Sequence, residues 1–300
     1  MIRERVLRAI ALNRTPGYHF AGNFVDLSFD RVASDDTRIS YETDPFGSDI
    51  GALAMAADFA LGTAIRAGLD PATRTATVSM SLQLMAPLPS GRVSAASHCR
   101  GYQGEGYGRV GHARVVLEAG GAEIGFGSGA FMILKPPPHM TMHPVAHRKR
   151  GDAEPAPVAE KDLAPDERRI LQHADEALER AAKTREPFIR HFWGFLPEKG
   201  RGSASCVMPN GPHAGNRVGN VQGGIMMGLA AVTAAAALSD TWTLSTISAA
   251  FISPGEGPAL KAQANVVHHG QRLSVVRTEV TRNDGRRVLE VTSTHLALKL

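Results

Sequence analysis

Residues 220–231 read NVQGGIMMGLAA, and the two adjacent glycines are the most informative feature of this stretch. They open a long alanine-rich apolar segment that has no charged side chain before Asp240. Glycine is a poor residue for a helix interior, so a Gly-Gly pair here needs a physical reason. A helix that begins at this point presents unpaired backbone N–H groups, and glycine lets a ligand approach them closely. The stretch therefore predicts a buried helix whose N-terminus meets a ligand.

The composition is that of an ordinary globular protein. The 300 residues are 43% hydrophobic and 21% charged, and the net charge is only +4. With 6% aromatic residues and no extended basic face, nucleic-acid binding is not expected. The segment 218–239 contains Gln222, Thr233 and glycines, so we expect a buried helix there rather than a membrane span.

The cysteines and the N-terminal segment bear on the cellular compartment. Cys99 and Cys206 are far apart and belong to no metal-binding motif, which is typical of free thiols in a reducing environment. The N-terminal segment has charges inside its apolar pattern and lacks the apolar core of a signal peptide. We therefore expect a cytoplasmic protein.

The chain contains an internal repeat of about half its length. Each half begins with a charged amphipathic segment, at 2–13 and at 166–183. A proline and then a phenylalanine follow each segment. The two prolines, Pro16 and Pro187, have the same separation in the chain as the two phenylalanines, Phe24 and Phe195. Such a repeat predicts two similar units in one chain.

Each half continues with a long helix of small residues, at 49–67 and at 222–238. Period-two segments separated by turn residues follow each helix, which indicates several strands. The Asn-Asp-Gly at 283–285 is typical of a hairpin turn. A long helix followed by antiparallel strands predicts an α+β fold in each half.

A Pro-rich, charged segment separates the two halves. We assign residues 1–134 to the N-terminal half, 135–165 to a linker and 166–300 to the C-terminal half. The linker has three histidines at helical spacing: His139, His143 and His147. Its prolines prevent a helix of that register, so no metal site is expected. We predict that the linker is poorly ordered or extended across the surface.

The segment from Asn220 to Gly224, with the helix and strands after it, resembles the hotdog-fold acyl-CoA thioesterases of the phenylacetate-pathway type. That family has Asn-x-His-Gly-Gly, and here Gln222 stands at the His position before Gly223. The resemblance spans nearly the whole chain except the linker and is strongest over 216–300. It implies a double hotdog, in which two fused units each consist of a long helix wrapped by an antiparallel sheet.

The resemblance also implies a carboxylate on the helix, nine residues after the His position. In the C-terminal half this position holds Ala231, so the acid is missing. In the N-terminal half the glycine motif is reduced to Asp-Ile-Gly at 49–51, but the acid is present as Asp58. Asp58 is the only charged residue between Gly51 and Arg66, and a charge in an apolar helix is costly to bury without a purpose.

Hotdog units pair, so each site in the family combines the glycine turn of one unit with the carboxylate of the other. The resemblance therefore implies one composite acyl-CoA thioesterase site in this chain. The Gly223 N–H, with help from the Gln222 side chain, is expected to polarise the thioester carbonyl, and Asp58 to act as general base or nucleophile. The opposite site, with Ile50 and Ala231, has no carboxylate at the corresponding position.

Further residues are expected to bind the substrate. Asn220 and Gly224 belong to the motif, and the turn at 268–272 falls where the family binds coenzyme A phosphates, which suggests His269 and Arg272. The reaction needs no metal and no organic cofactor, because coenzyme A is part of the substrate. The resemblance further implies that two chains pair as a homodimer.

Two alternative functions stay open. A catalytically silent acyl-CoA-binding or regulatory protein would account for Gln222 in place of His and for the loss of one site. A hotdog hydratase or dehydratase would need an Asp/His pair beside the glycine turn, and residues 213–222 supply His213 but no acid. The acyl group, and the choice between nucleophile and general base for Asp58, are left open.

Overall fold

The computed structural model describes residues 2–71, 73–136, 138 and 141–298. In these residues the α-helices are α1 Ile2–Asn13, α2 Ile50–Arg66, α3 Pro165–Thr184, α4 Phe188–Phe192 and α5 Gly223–Ala236. The two small-residue helices predicted at 49–67 and 222–238 are α2 and α5, so that prediction is confirmed. The amphipathic segments of the repeat form α1 and α3.

The strands of the described residues form one 12-stranded antiparallel sheet. In the N-terminal half they are β1 Ser28–Arg31, β2 Thr37–Glu42, β3 Arg74–Leu84, β4 Arg92–Gln103, β5 Val110–Ala119 and β6 Ala122–Leu134. In the C-terminal half they are β7 Glu198–Lys199, β8 Ser203–Pro209, β9 Trp242–Phe251, β10 Ala259–His269, β11 Leu273–Arg282 and β12 Arg287–Ala297. The predicted α+β class is confirmed.

The two halves follow the same topological plan. The order across the sheet is β1-β2-β4-β5-β6-β3-β9-β12-β11-β10-β8-β7. In each half, two strands precede the long helix, and the first strand after the helix lies at the centre of the whole sheet. These central strands, β3 and β9, pair with each other, with Ser81 opposite Ser248. The sheet is therefore continuous from one half to the other.

Helices α2 and α5 pack against each other and against the strands of their own halves. Gly224 lies against Met55, and Gly228 lies against Gly51, so the two helices run in opposite directions. The glycines and alanines of both helices permit this close approach, because larger side chains would hold the backbones apart. Every residue of α2 is buried except Phe59 and Arg66.

Residues 141–159 of the linker form no helix or strand, a short 3-10 helix follows at Glu160–Asp162, and the segment packs on the N-terminal half. The Ala146 N–H donates to the Gly17 carbonyl at 3.1 Å, and the Phe29 N–H donates to the Arg148 carbonyl at 2.8 Å. The His147 ring packs against the Phe29 ring at 4.8 Å between centroids. Of the other linker histidines, His139 lies outside the described residues. The linker is thus part of the folded surface.

None of the helices in the described part of the chain combines the length and the apolar character that crossing a membrane requires.

Candidate active site

A cavity of about 390 Å³ lies between the two halves of the chain. Its walls come from α2, β3, the N-terminus of α5 and the loop that follows β9. Phe20 of the N-terminal segment and Met142 of the linker also line it. Four of the site residues predicted from the sequence line this cavity: Asp58, Asn220, Gln222 and Gly223. The cavity therefore draws together residues that are far apart in the sequence.

Asp58 lies in the middle of α2, and only 6% of its surface is exposed. The Thr77 hydroxyl donates a hydrogen bond to Oδ1 at 2.9 Å, and the Gln222 side-chain amide donates one to Oδ2. Gly223 is close as well, since a Cβ built on it would stand 3.1 Å from Oδ2. The carboxylate therefore faces the N-terminus of α5 in the other half of the chain.

The environment of Asp58 suits a proton acceptor. Burial raises the pKa of its carboxyl to about 6, while hydrogen bonds from the Thr77 hydroxyl and the Gly224 N–H act in the opposite direction. A base with a pKa of this size is ionised at neutral pH and still accepts a proton readily. Perturbed carboxyl groups in cavities are common at functional sites.

Gln222 is the N-cap of α5 and links that helix to Asp58. Its Oε1 accepts a hydrogen bond from the Ile225 N–H at 2.9 Å, and its Nε2 donates to the Asp58 carboxylate. Oxygen and nitrogen of the amide are distinguished by these partners, because a backbone N–H must donate and a carboxylate must accept. The sequence prediction gave this amide a role in polarising the carbonyl, whereas both ends of the side chain are engaged within the protein. Gln222 therefore holds the Asp58 carboxylate beside the N-terminus of α5, and its Nε2 has a second N–H for the predicted role in polarising the carbonyl.

The two glycines of the motif do different things. Gly223 lines the cavity, and no residue described by the structure accepts a hydrogen bond from its N–H. Gly224 does not line the cavity, because it is pressed against the backbone of α2, where a Cβ would come within 2.5 Å of the Met55 N. Gly224 was predicted to contact the substrate, but its lack of a side chain serves helix packing.

Asn220, predicted to bind substrate, lines the cavity, but His269 and Arg272 do not. The His269 ring packs against Trp242 at 5.0 Å between centroids, and Trp242 packs on the residues that end α5. The 14 residues of α5 span roughly 20 Å. The structure thus puts the 268–272 turn at the opposite end of α5 from Gly223 and does not bring it to the cavity.

The opposite site, at the N-terminus of α2, is filled. Asp49 caps α2 by accepting from the Gly51 N–H at 2.7 Å, and its other oxygen accepts from Arg190 Nε at 3.1 Å. The rings of Phe195 and Trp193 occupy the space beside Gly51. The cavity next to Asp49 measures only about 10 Å³, which is no more than one water requires.

Sequence reasoning missed Thr77, and no motif marks it among the other hydroxyl residues of β3. It also missed three arginines that line the cavity: Arg66, Arg74 and Arg217. The sequence holds no signal for Thr77, which pairs with Phe131 of β6 in the folded sheet. Its role depends on the tertiary contact with Asp58.

The comparisons with known proteins concern both the sequence and the fold. Residues 212–296 match a family model described as "Acyl-CoA thioesterase N-terminal domain". This match covers the glycine motif, α5 and most of the four strands that follow it. No curated protein matches the chain.

Solved structures resemble the chain over nearly its whole length. A tesB protein from Mycobacterium avium subspecies paratuberculosis is 11% identical, with a TM-score of 0.55 over 90% of this chain and 95% of that one. A protein from Lactobacillus plantarum, named as an oleoyl thioesterase, is 10% identical, with a TM-score of 0.54 over 89% and 98%. A conserved protein of unknown function with a hot dog fold from Alicyclobacillus acidocaldarius is 12% identical, with a TM-score of 0.53 over 91% and 96%. At such identities the likeness shows the fold alone, and this chain has a hotdog fold.

Proposed function

We propose that this chain hydrolyses acyl-CoA thioesters at one composite site, formed by α2 of the N-terminal half and the N-terminus of α5. The observation that carries the proposal is the buried Asp58 carboxylate, which stands beside the open Gly223 N–H in the same cavity. The match of residues 212–296 to a thioesterase domain model supports the reaction class. No metal or organic cofactor takes part in the proposed chemistry.

The N-terminus of α5 is the proposed oxyanion-binding group. Hydrolysis of a thioester develops negative charge on the carbonyl oxygen, and a free N–H at the positive end of a helix dipole stabilises such charge. Gly223 supplies this N–H at the cavity wall. The absence of a Cβ lets the reacting carbonyl come close to the backbone.

Asp58 is the proposed general base. It takes a proton from water as the water oxygen attacks the carbonyl carbon, and it returns that proton to the departing coenzyme A thiolate when the tetrahedral intermediate breaks down. The products are the carboxylic acid and the free thiol. Thr77 donates a hydrogen bond to one carboxylate oxygen of Asp58 and Gln222 donates one to the other. These two bonds fix the orientation of the carboxylate for proton transfer.

The nucleophilic alternative for Asp58 predicts a different fate for solvent oxygen. In single-turnover hydrolysis in H₂¹⁸O, a general base directs the label into the released acid. A nucleophilic Asp58 would form an anhydride with the acyl group, and attack of water on its aspartyl carbonyl would leave the label in the protein. Label in the peptide that contains Asp58, measured by mass spectrometry, would identify a nucleophilic Asp58.

The repeated topology supports a tandem arrangement in which each half is one hotdog unit. Both halves share a strand order around one central helix, and β3 and β9 join them. In this arrangement the two units provide two equivalent positions for a site. One keeps Asp58 and the glycine turn, and the other is occupied by Trp193 and Phe195. A homodimer of such chains stays a proposal by analogy with the family.

The acyl group is proposed to be apolar, because Phe20, Phe59, Phe131, Met226 and Phe251 line the cavity. A panel of acyl-CoAs with straight-chain and arylacetyl groups, the latter implied by the phenylacetate-pathway resemblance, tests this with a colorimetric assay for free thiol. Release of thiol from at least one member supports the function. Tight binding of acyl-CoA without thiol release would support the silent binding protein instead.

The hydratase alternative loses its candidate histidine. His213 is buried and does not line the cavity, and its ring packs against His173 and Phe192 at 5.1 and 5.2 Å between centroids. Burial lowers the pKa of His213 to about 3. A neutral histidine away from the cavity does not supply the acid–base pair that hydration requires.

The rate of hydrolysis is expected to rise with pH. Because Asp58 must be ionised to accept a proton and its pKa is raised to about 6, kcat/KM should increase through about pH 6 and level off above pH 7. Thr77→Val removes a hydrogen bond to the ionised form, so the midpoint should move to higher pH, while Thr77→Ser should keep it. A pH–rate profile without an inflection between pH 5 and 7, in the wild type, would contradict the assignment.

Asp49→Asn tests the filled site. Asparagine is a good N-cap, but Arg190 loses its buried anionic partner, so the free energy of unfolding should fall by about 1–3 kcal/mol. The value of kcat should stay unchanged, because Asp49 lies at the other end of α2 from the cavity. Urea unfolding and the thiol-release assay measure the two effects, and a large loss of kcat would show that the filled site takes part in turnover.

A further inference from the structure

Of the three arginines that line the cavity, Arg66 and Arg217 have no acidic partner among the described residues, and Arg74 lies on β3. Arg66, at the C-terminal end of α2, and Arg217, in the loop before α5, both line the cavity that contains Asp58. In the part of the chain that the structure describes, neither forms a salt bridge with a carboxylate. Arg217 donates to the His143 carbonyl at 2.9 Å, whereas Arg66 donates to no described residue through its side chain. Most other cavity residues are apolar or uncharged.

The two guanidinium groups also repel each other electrostatically. Burial and the positive charge of Arg217 lower the pKa of Arg66 to about 9. Burial lowers the pKa of Arg217, and burial together with both arginines lowers the pKa of His147 to about 4. Among the described residues, Asp58 is the acidic residue that lines the same cavity. Its carboxylate oxygens already accept hydrogen bonds from Thr77 and Gln222. The positive charge at this end of the cavity is therefore uncompensated.

An uncompensated pair of arginines in a cavity is costly unless a ligand supplies the missing charge. Both side chains are partly buried, and charge that is drawn partly out of water is stabilised by opposite charge and hydrogen bonds. Guanidinium groups have planar arrays of donors that fit phosphate and carboxylate oxygens. Since Arg66 has its donors free and Arg217 keeps others beside the one bound to His143, the pair can receive such a group between them.

We propose that Arg66 and Arg217 bind an anionic oxygen group of the thioester substrate, while its carbonyl lies between Asp58 and Gly223. This inference rests on the proposed thioesterase function and extends it to the recognition of the far end of the substrate. Arg66 lies about two helical turns beyond Asp58 on α2, which is roughly 12 Å along the axis. The bound anionic group would therefore lie at roughly this distance from the reacting carbonyl, and an extended part of the substrate would connect the two.

Two parts of a substrate can carry that charge. One is the phosphate at the end of the pantetheine arm of coenzyme A, and the other is a terminal carboxylate on the acyl chain. The linker bears on both, because its His143 carbonyl holds Arg217 and its Met142 lines the cavity. The linker therefore helps to fix the arginine pair as well as joining the two halves.

The experiment compares three substrates in wild type, Arg66→Gln and Arg217→Gln. Octanoyl-CoA carries phosphate, suberyl-pantetheine carries only a terminal carboxylate, and octanoyl-pantetheine is neutral. Loss of a charged hydrogen bond should raise KM for the recognised anionic substrate roughly 10- to 100-fold relative to the effect on the neutral one. A selective rise with octanoyl-CoA identifies the phosphate, and one with suberyl-pantetheine identifies the carboxylate.

The controls separate this inference from the function on which it rests. Arg277→Gln removes an exposed arginine on β11 and should leave all three substrates unaffected. Calorimetric titration of the Asp58→Asn protein with octanoyl-CoA and with suberyl-pantetheine, with and without Arg66→Gln, measures binding even if the wild type hydrolyses neither. Equal effects of Arg66→Gln on charged and neutral ligands, or no effect on either, would overturn the arginine subsite and leave the thioesterase proposal standing.

Discussion

Asp58→Asn is expected to lower kcat by about 10²–10⁴-fold, because it removes the general base while keeping the shape of the side chain. The asparagine fits the site. Its Oδ1 can accept from the Gln222 amide, and its Nδ2 can donate to the Thr77 hydroxyl, which are the partners of the carboxylate. The thiol-release assay measures the loss, and hydrolysis at the wild-type rate would end the mechanism proposed for this site.

The same substitution should stabilise the fold at alkaline pH. The pKa of Asp58 is raised to about 6 in the folded protein, so the folded state holds the proton more tightly than the unfolded chain. Stability is therefore lost as pH rises from about 4 through 6, and above pH 7 the buried charge costs on the order of 1–3 kcal/mol. Asp58→Asn removes this cost.

Urea unfolding at two pH values provides the control for the stability effect. At pH 8 the Asp58→Asn protein should be more stable than wild type, and the difference should shrink as the pH falls towards 4. An inactive variant that is less stable than wild type at pH 8 would mean that activity was lost through damage to the fold. Greater stability with lower activity would locate the effect in the chemistry.

Gly224→Ala is expected to destabilise the protein by about 3 kcal/mol, because the new Cβ would meet the backbone of α2. It would lie 2.5 Å from the Ala54 carbonyl oxygen and from the Met55 nitrogen. The sign of the effect is informative. Alanine is a better helix former than glycine by about 1 kcal/mol, so a glycine that served only as a turn would be improved by this change.

Gly223→Ala is the matched control. Its Cβ would lie 3.0 Å from the Thr77 hydroxyl and 3.1 Å from Asp58 Oδ2, which are side-chain atoms that can move by a few tenths of an ångström. Stability should change little, while kcat should fall because the carboxylate and the oxyanion position are disturbed. Thermal unfolding and thiol release on both variants separate packing from catalysis, and identical profiles would contradict the division of roles between the glycines.

Much of the architecture could be predicted because it depends on local pattern and on repetition. The small-residue composition of α2 and α5 marks both helices, and the strand periodicity after each indicates the sheet. Asp58 could be found because a charge in an apolar helix conflicts with its surroundings, and such conflicts often mark functional positions. The contact between Asp58 and the motif in the other half followed from the pairing that the family resemblance implies.

Other features depend on tertiary contacts that no local pattern records. Gln222 joins the cap of α5 to Asp58, and Thr77 supplies a hydroxyl from β3. Gly224 is required by the backbone of α2. The 268–272 turn was predicted to hold phosphate ligands, and only the folded structure shows that it lies at the opposite end of α5 from Gly223. The arginine pair was missed because Arg66 and Arg217 meet only in the folded chain.

The pairing of β3 with β9 has a consequence for dilution. In a site shared by two separate chains, the fraction of complete sites falls when the protein concentration drops below the dissociation constant. Here the two strands belong to one polypeptide, so each experiences a high effective concentration of the other that does not depend on how much protein is present. The contact between Thr77, Asp58 and Gln222 is therefore a property of each molecule, complete even in a solution that contains very few of them.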